Sequence, residues 1–93
     1  MDFEWNPQKA DINQRKHGIT FEEATTVFGD VLSFTFPDRD HSIQEERFLV
    51  LGVSSKNRVL VISYVHRAGT IRIISARKAT KKERKYYETQ RLG

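Results

Sequence analysis

RFLVLGVSSKNRVLVISYVHRAGTIRIISA, running from Arg47 to Ala76, is the stretch that decides the fold. Arg47 to Val53 and Arg58 to His66 are rich in β-branched and aromatic residues, and Thr70 to Ala76 continues the pattern, so three consecutive strands are predicted. Ser54-Ser55-Lys56-Asn57 and Arg67-Ala68-Gly69 are short breaks that force antiparallel hairpins. The Arg58–His66 strand is apolar on both faces, which places it at the centre of a sheet.

Working outward, Val31 to Phe36 alternates apolar with small polar residues and reads as a further strand with Leu32, Phe34 and Phe36 on one face. Pro37 to Ser42 follows as a polar loop. Upstream, Asn6-Pro7 opens a helix to Lys16 whose buried stripe is narrow, with Ala10, Asn13 and His17 at i, i+3 and i+7. Gly18 ends it, and Thr20-Phe21-Glu22-Glu23 forms a capping box for a second helix to about Phe28. Phe3 and Trp5 offer a short edge strand. Downstream, Thr80 and Glu83 cap a last helix to about Gln90. The reading is a single α+β domain over residues 1–93. It has an N-terminal helical pair, a four-stranded antiparallel sheet and a C-terminal helix, with the helices on one sheet face and the other face free.

With 93 residues, 38% hydrophobic, the chain has material for one core. Its longest apolar stretches, Phe48 to Val53 and Val59 to Val65, fall far short of the roughly 20 residues that cross a bilayer. The acidic, aromatic start Met1-Asp2-Phe3-Glu4-Trp5 lacks a secretory pattern, and cysteine is absent. A soluble cytoplasmic protein is the expectation. Residues 1–55 carry ten acids against five Lys and Arg, a balance of −5; residues 56–93 carry eleven bases against two acids, a balance of +9. So lopsided a basic half suits a polyanion, although a solvated basic surface has the same composition.

Short words in order along nearly the whole chain carry a family resemblance. They are Phe3-Glu4-Trp5-Asn6-Pro7, Asn13, Lys16-His17-Gly18, Phe21-Glu22-Glu23-Ala24 with Val27-Phe28, Asp40-His41-Ser42 and Glu45-Glu46-Arg47. They continue through Leu51-Gly52, Arg72-Ile73-Ile74-Ser75-Ala76-Arg77, Ala79-Thr80 and Glu83-Arg84 to Tyr86-Tyr87. In these words the sequence resembles the BrnT family of toxins. The resemblance implies a RelE-like fold and an endoribonuclease that cleaves RNA and inhibits translation. It also implies a BrnA-type DNA-binding antitoxin, assembled as a heterotetramer through an antitoxin dimer. No cofactor and no metal are expected.

RNA carries its own nucleophile, the 2′-hydroxyl, so a protein can cut it with a base, an acid and fixed cations. If both hairpins are tight, Arg47 falls opposite Tyr64 and Tyr64 opposite Arg72, forming one row across three strands with His66 and Arg58 on the same face. A slip of one residue dissolves that row. The catalytic candidates are therefore His17, Glu46, Arg47, Tyr64, His66, Arg72 and Arg77. The candidate RNA contacts are Arg58, Arg67, Lys78, Lys81, Lys82 and Lys85, with Tyr86 or Tyr87 to stack on a base. His17 suits the helix terminus equally well, Tyr64 suits the core, and Glu45-Glu46 suits either a general base or the protection of a strand edge. Asp38, Asp40 and His41 read as solvated turn residues rather than metal ligands. Two other functions fit the same charges: a nucleic-acid-binding regulator without catalysis, and an interaction protein with oppositely charged halves.

Overall fold

A computed structural model describes residues 1–92. Its elements are β1 (Asp2–Glu4), α1 (Pro7–His17), α2 (Phe21–Val27), β2 (Phe34–Pro37), a turn of 3-10 helix (Arg39–His41), β3 (Arg47–Val53), β4 (Val59–Arg67), β5 (Thr70–Lys78) and α3 (Lys81–Leu92). The helix starts follow their caps. Asn6 accepts from the amides of Gln8 and Lys9, and Thr20 from that of Glu23. Glu83 and Thr80 exchange hydrogen bonds as a capping box.

The sheet has five strands in the order β1-β5-β4-β3-β2 and is mixed rather than purely antiparallel. β1 lies parallel to β5, pairing Phe3 with Ile71 and Glu4 with Arg72, so the edge strand at Phe3 is real while Trp5 leaves it to pack edge-on against Phe21. β2 starts later than expected. The Asp30 side chain accepts from the Leu32 amide and its carbonyl from the Ser33 amide, so Val31 and Leu32 turn outward and the strand begins at Phe34.

The helices do not share one face, contrary to the expectation from sequence. α1 and α2 cover one side, where Ile19, Phe21, Ala24 and Val27 pack on Val50, Leu60, Ile62, Tyr64, Ile71 and Ile73. α3 crosses to the other, where Tyr87 packs on Leu51 and Val61 with Phe34 against them. The strand order explains why β4 is apolar on both sides: it is central and covered twice. Gly52 has no room for a side chain, since a Cβ there would meet Ser33 Cβ and Val27 Cγ1 at 3.0 Å and Asp30 Oδ2 at 3.1 Å. Asp30 Oδ2 also accepts from the Val53 amide (2.9 Å) and the Tyr87 hydroxyl (2.5 Å), tying α3 to the α2–β2 turn.

Asn13, buried in α1, joins three segments. Its Nδ2 donates to the carbonyls of Ile19 (3.0 Å) and Ala76 (2.9 Å), and its Oδ1 accepts from the Ala76 amide (3.0 Å). It thereby satisfies the part of β5 beyond the end of its pairing with β1. Asn13→Ala leaves these backbone groups without partners and is expected to cost about 3 kcal/mol in urea unfolding. An unchanged midpoint would show that the strap carries no weight.

Candidate active site

The register of β4 determines which side chains meet. Arg47 pairs with Val65, not Tyr64, and Val65 in turn pairs with Arg72. The first turn is one residue longer than expected and the second one residue shorter, and each change moves the pairing one residue along β4 in the same direction. At the first, Asn57 adopts a left-handed conformation (φ 59°) and adds a residue to the turn, so Val53 meets Val59. At the second, Ala68 and Gly69 are both left-handed (φ 49° and 83°), the geometry of a two-residue type I′ turn, so Arg67 meets Thr70. The two slips leave Arg47 and Arg72 in one row with Val65 between them, and turn Tyr64 to the opposite face. Arg67, two residues beyond Val65, shares the arginine face. Arg72 and Arg77 are an odd number of residues apart and would point opposite ways in a regular strand. The irregularity at Ser63/Tyr64, whose partners are Ser75 and Ile73, skips Ile74 and brings both to the same side.

Arg47, Arg67, Arg72 and Arg77 thus occupy one sheet face where α3 leaves it open. Carboxylates hold several of them. Arg67 grips Glu45 through Nη2 (2.6 Å) and Nε (3.2 Å), and this contact, with the charges of Arg67, Arg47 and Arg72, keeps the Glu45 carboxyl below its usual range. Arg72 Nη1 lies 3.7 Å from Glu4. Arg77 binds Glu83 in a two-pronged fork, 2.7 and 3.0 Å, and with the Thr80 amide lowers the Glu83 pKa to about 2. Over the same face, His41 Nδ1 sits 3.1 Å from both oxygens of a largely covered Asp38. A depression of about 360 Å³ brings His41 and Asp38 together with Arg47, Ser63, Ser75 and Arg77. An imidazole aligned by a carboxylate beside fixed guanidinium groups can move a proton next to a bound phosphate.

Tyr64, His66 and Arg58, expected on this face, lie elsewhere, as do the remaining candidates. Tyr64 is buried between Phe28 and Phe48 at ring separations of 5.0 and 5.7 Å, and burial raises its pKa, keeping the phenol protonated. His66 stands at the exposed end of that aromatic group, 5.5 Å from Tyr64. Arg58 turns to the α2 side and pairs with the buried Glu23, which also accepts from Ser54 at 2.7 Å. His17, half-buried, shares a shallow depression with Lys9 and Lys16 along the outer edge of β5. Glu46 is exposed before β3, and Lys78, Lys81, Lys82 and Lys85 are exposed at the end of β5 and on α3. Of the tyrosine pair, Tyr87 is buried and Tyr86 lies half-exposed against Phe34 and Phe36. Sequence reasoning passed over His41 as a turn residue. The available signals were the i, i+3 spacing from Asp38 and the place of His41 in the word Asp40-His41-Ser42.

A face that gathers guanidinium groups from adjacent strands has the chemistry to suit phosphate, and the class the fold defines is a small α+β domain with a mixed sheet. The family model for the ribonuclease toxin BrnT of type II toxin-antitoxin systems matches residues 5–83, and the chain belongs to this family. Its structure is similar to the crystal structure of the Brucella abortus ribonuclease toxin BrnT, with a TM-score of 0.68 and 19% sequence identity, covering 87% of this chain and 99% of that one. No curated protein matches the chain. Among the described residues no helix is long and apolar enough to cross a membrane.

The Arg77–Glu83 pair gives a pH test. The folded pKa of Glu83 lies below its unfolded value, so its contribution to stability is present above about 4.5 and is lost as pH falls toward about 2. Both side chains are more or less a third exposed, 39% for Arg77 and 33% for Glu83, so solvent screening limits the pair to about 1 kcal/mol. Glu83→Gln is expected to cost that much at pH 7 and to flatten the stability profile between pH 4.5 and 2. A variant with the parental acid profile would remove the pair from the account.

Proposed function

We propose that the protein is a metal-independent endoribonuclease, a single-domain toxin of RelE-like architecture that cleaves RNA in the cytoplasm and thereby inhibits translation. The observation that carries this reading is the convergence of Arg47, Arg67, Arg72 and Arg77 on one open face with the His41–Asp38 pair. In the reaction the 2′-oxygen attacks the neighbouring phosphorus, the bond from phosphorus to the 5′-oxygen breaks, and a 2′,3′-cyclic phosphate and a 5′-hydroxyl result. Arg47, Arg72 and Arg77 neutralise the charge that builds on the phosphorane, because a planar fork matches two non-bridging oxygens. His41, aligned by Asp38, accepts the 2′-hydroxyl proton, and water at the open face supplies the proton that the departing 5′-oxygen takes up. Arg67 and the lysines Lys78, Lys81, Lys82 and Lys85 meet flanking backbone phosphates. Tyr64, Arg58 and His66 keep the frame on the opposite face, while His17 and Glu46 border the site without a part in the chemistry.

As a type II toxin the protein has an antitoxin partner. We take it to be BrnA-type and DNA-binding, joined in a heterotetramer through the antitoxin dimer, with RNA and antitoxin excluding one another on the arginine face.

Arg72→Ala is expected to lower cleavage of labelled RNA in EDTA by about 10²- to 10³-fold while the melting temperature stays within a few degrees. His41→Gln should lose about 10²- to 10⁴-fold, whereas His17→Gln and His66→Gln cut at the parental rate. RNA bound tightly but left intact by the parent would instead make the protein a non-catalytic nucleic-acid-binding module.

A further inference from the structure

Beside the arginine depression, and sharing Leu49 with it, runs a second groove of about 340 Å³. Leu49, Leu51 and Val61 form its floor, Phe36 and Tyr86 its walls, and Lys82 its rim. Phe36 is 39% exposed and Tyr86 42%, a large apolar pair left facing solvent on a molecule whose other aromatic rings are mostly packed. The rings of Phe34, Phe36 and Tyr86 contact one another at 5.3 to 6.4 Å, so the walls are braced and the groove is preformed.

We infer that this groove receives a short segment of the antitoxin, an apolar side chain flanked by acidic residues, and that its seating extends over the arginine face. The inference rests on the membership of a type II pair and on the arginine face as the RNA site. Charge chooses among the occupants. Lys82 at the rim, Lys85 one turn further along α3, and Arg47 and Arg77 beyond Leu49 all favour carboxylates on either side of the anchor. A second copy of this chain would bring the same cations face to face. A nucleobase would bury its polar edge against apolar walls, since the Glu83 carboxylate beside it is committed to Arg77 and Thr80. Because the groove and the depression share Leu49 as a lining residue, a segment anchored in one places its acidic flank beside the other and competes with phosphate there.

Titration of the purified antitoxin of the same pair against purified toxin variants tests this. Phe36→Glu is expected to weaken binding at least tenfold, Phe36→Leu to stay within about threefold, and both to cut RNA at the parental rate without antitoxin. Hydrogen exchange on the unaltered pair needs no variant: amides of Phe34 to Pro37 and Lys82 to Tyr86 should slow when the antitoxin is added. Parental affinity in a folded Phe36→Glu, or protection confined to segments outside the groove, overturns the inference. So does a Phe36→Glu protein that loses RNA cleavage with antitoxin affinity unchanged, which would make the groove a base subsite. Affinity and exchange do not use cleavage, so a toxin that leaves RNA intact would refute the ribonuclease reading alone.

Discussion

β4 is hydrogen-bonded along both edges, so its register is set twice, once by the Asn57 turn and once by the Ala68–Gly69 turn. Side chains alternate across a sheet with period two, so a change of one residue at either turn would send one of Arg47 and Arg72 to the helix-covered face. There a guanidinium would have to be buried among Val50, Ile62 and Ile73. The hydrophobic pattern of β4 therefore enforces the register that the turns allow. The bulge beside Ser63 adds what a regular ladder cannot: it lets Ile73 stay in the core while Arg72 and Arg77 both reach the open side.

The frame handles its own charges differently from the open face. Glu23 is 4% exposed and carries its charge because Arg58 binds it, with Ser54 adding a hydrogen bond; these hold its carboxyl below the usual range against the opposing effect of burial. That pair links α2 to the turn whose geometry sets the β3–β4 register, so removing either partner would leave a buried charge beside the Asn57 turn. Asp30 acts likewise at the other end, accepting from the Val53 amide and the Tyr87 hydroxyl. Helices on opposite faces are in this way fastened to the same strand end, and α3 meets the arginine face through Glu83, which holds Arg77.

Local signals in the sequence were legible where a short-range cause determines them. The caps at Asn6 and Thr20, the central place of β4 and the Glu83 capping box follow from spacing alone. The register did not, because Asn tolerates a positive φ without requiring one, and nothing in Ser63, Tyr64 or Ile74 marks the bulge. Parallel pairing of β1 with β5 joins residues about 68 apart in the chain, and nothing in Phe3 to Trp5 names a partner. The buried stripe of α3 shows that it packs, not on which face. In the sequence His41 reads as a turn residue because its carboxylate partner is local, while the long-range fact that matters, its place beside Arg47 and Ser63, is visible only in three dimensions.

Each ion pair on the open face joins an arginine to a carboxylate that water also reaches: Arg67 to Glu45, Arg72 to Glu4 and Arg77 to Glu83. Exposed pairs are weak, worth about 0 to 1 kcal/mol, so a phosphate can displace a carboxylate at small cost. Meanwhile the carboxylates limit repulsion among the clustered guanidinium groups and hold them near working positions. Arg77 is the exception in strength, because Glu83 is also bound by the Thr80 amide and so belongs to the α3 cap as much as to the site. Of these three pairs Arg72 is the loosest, 3.7 Å from its carboxylate, and Arg77 the most firmly held, while Arg47 takes part in none of them, so a phosphate on this face would meet arginines of graded availability. A ligand with several closely spaced negative charges can engage them together, which a single carboxylate or an isolated phosphate cannot do.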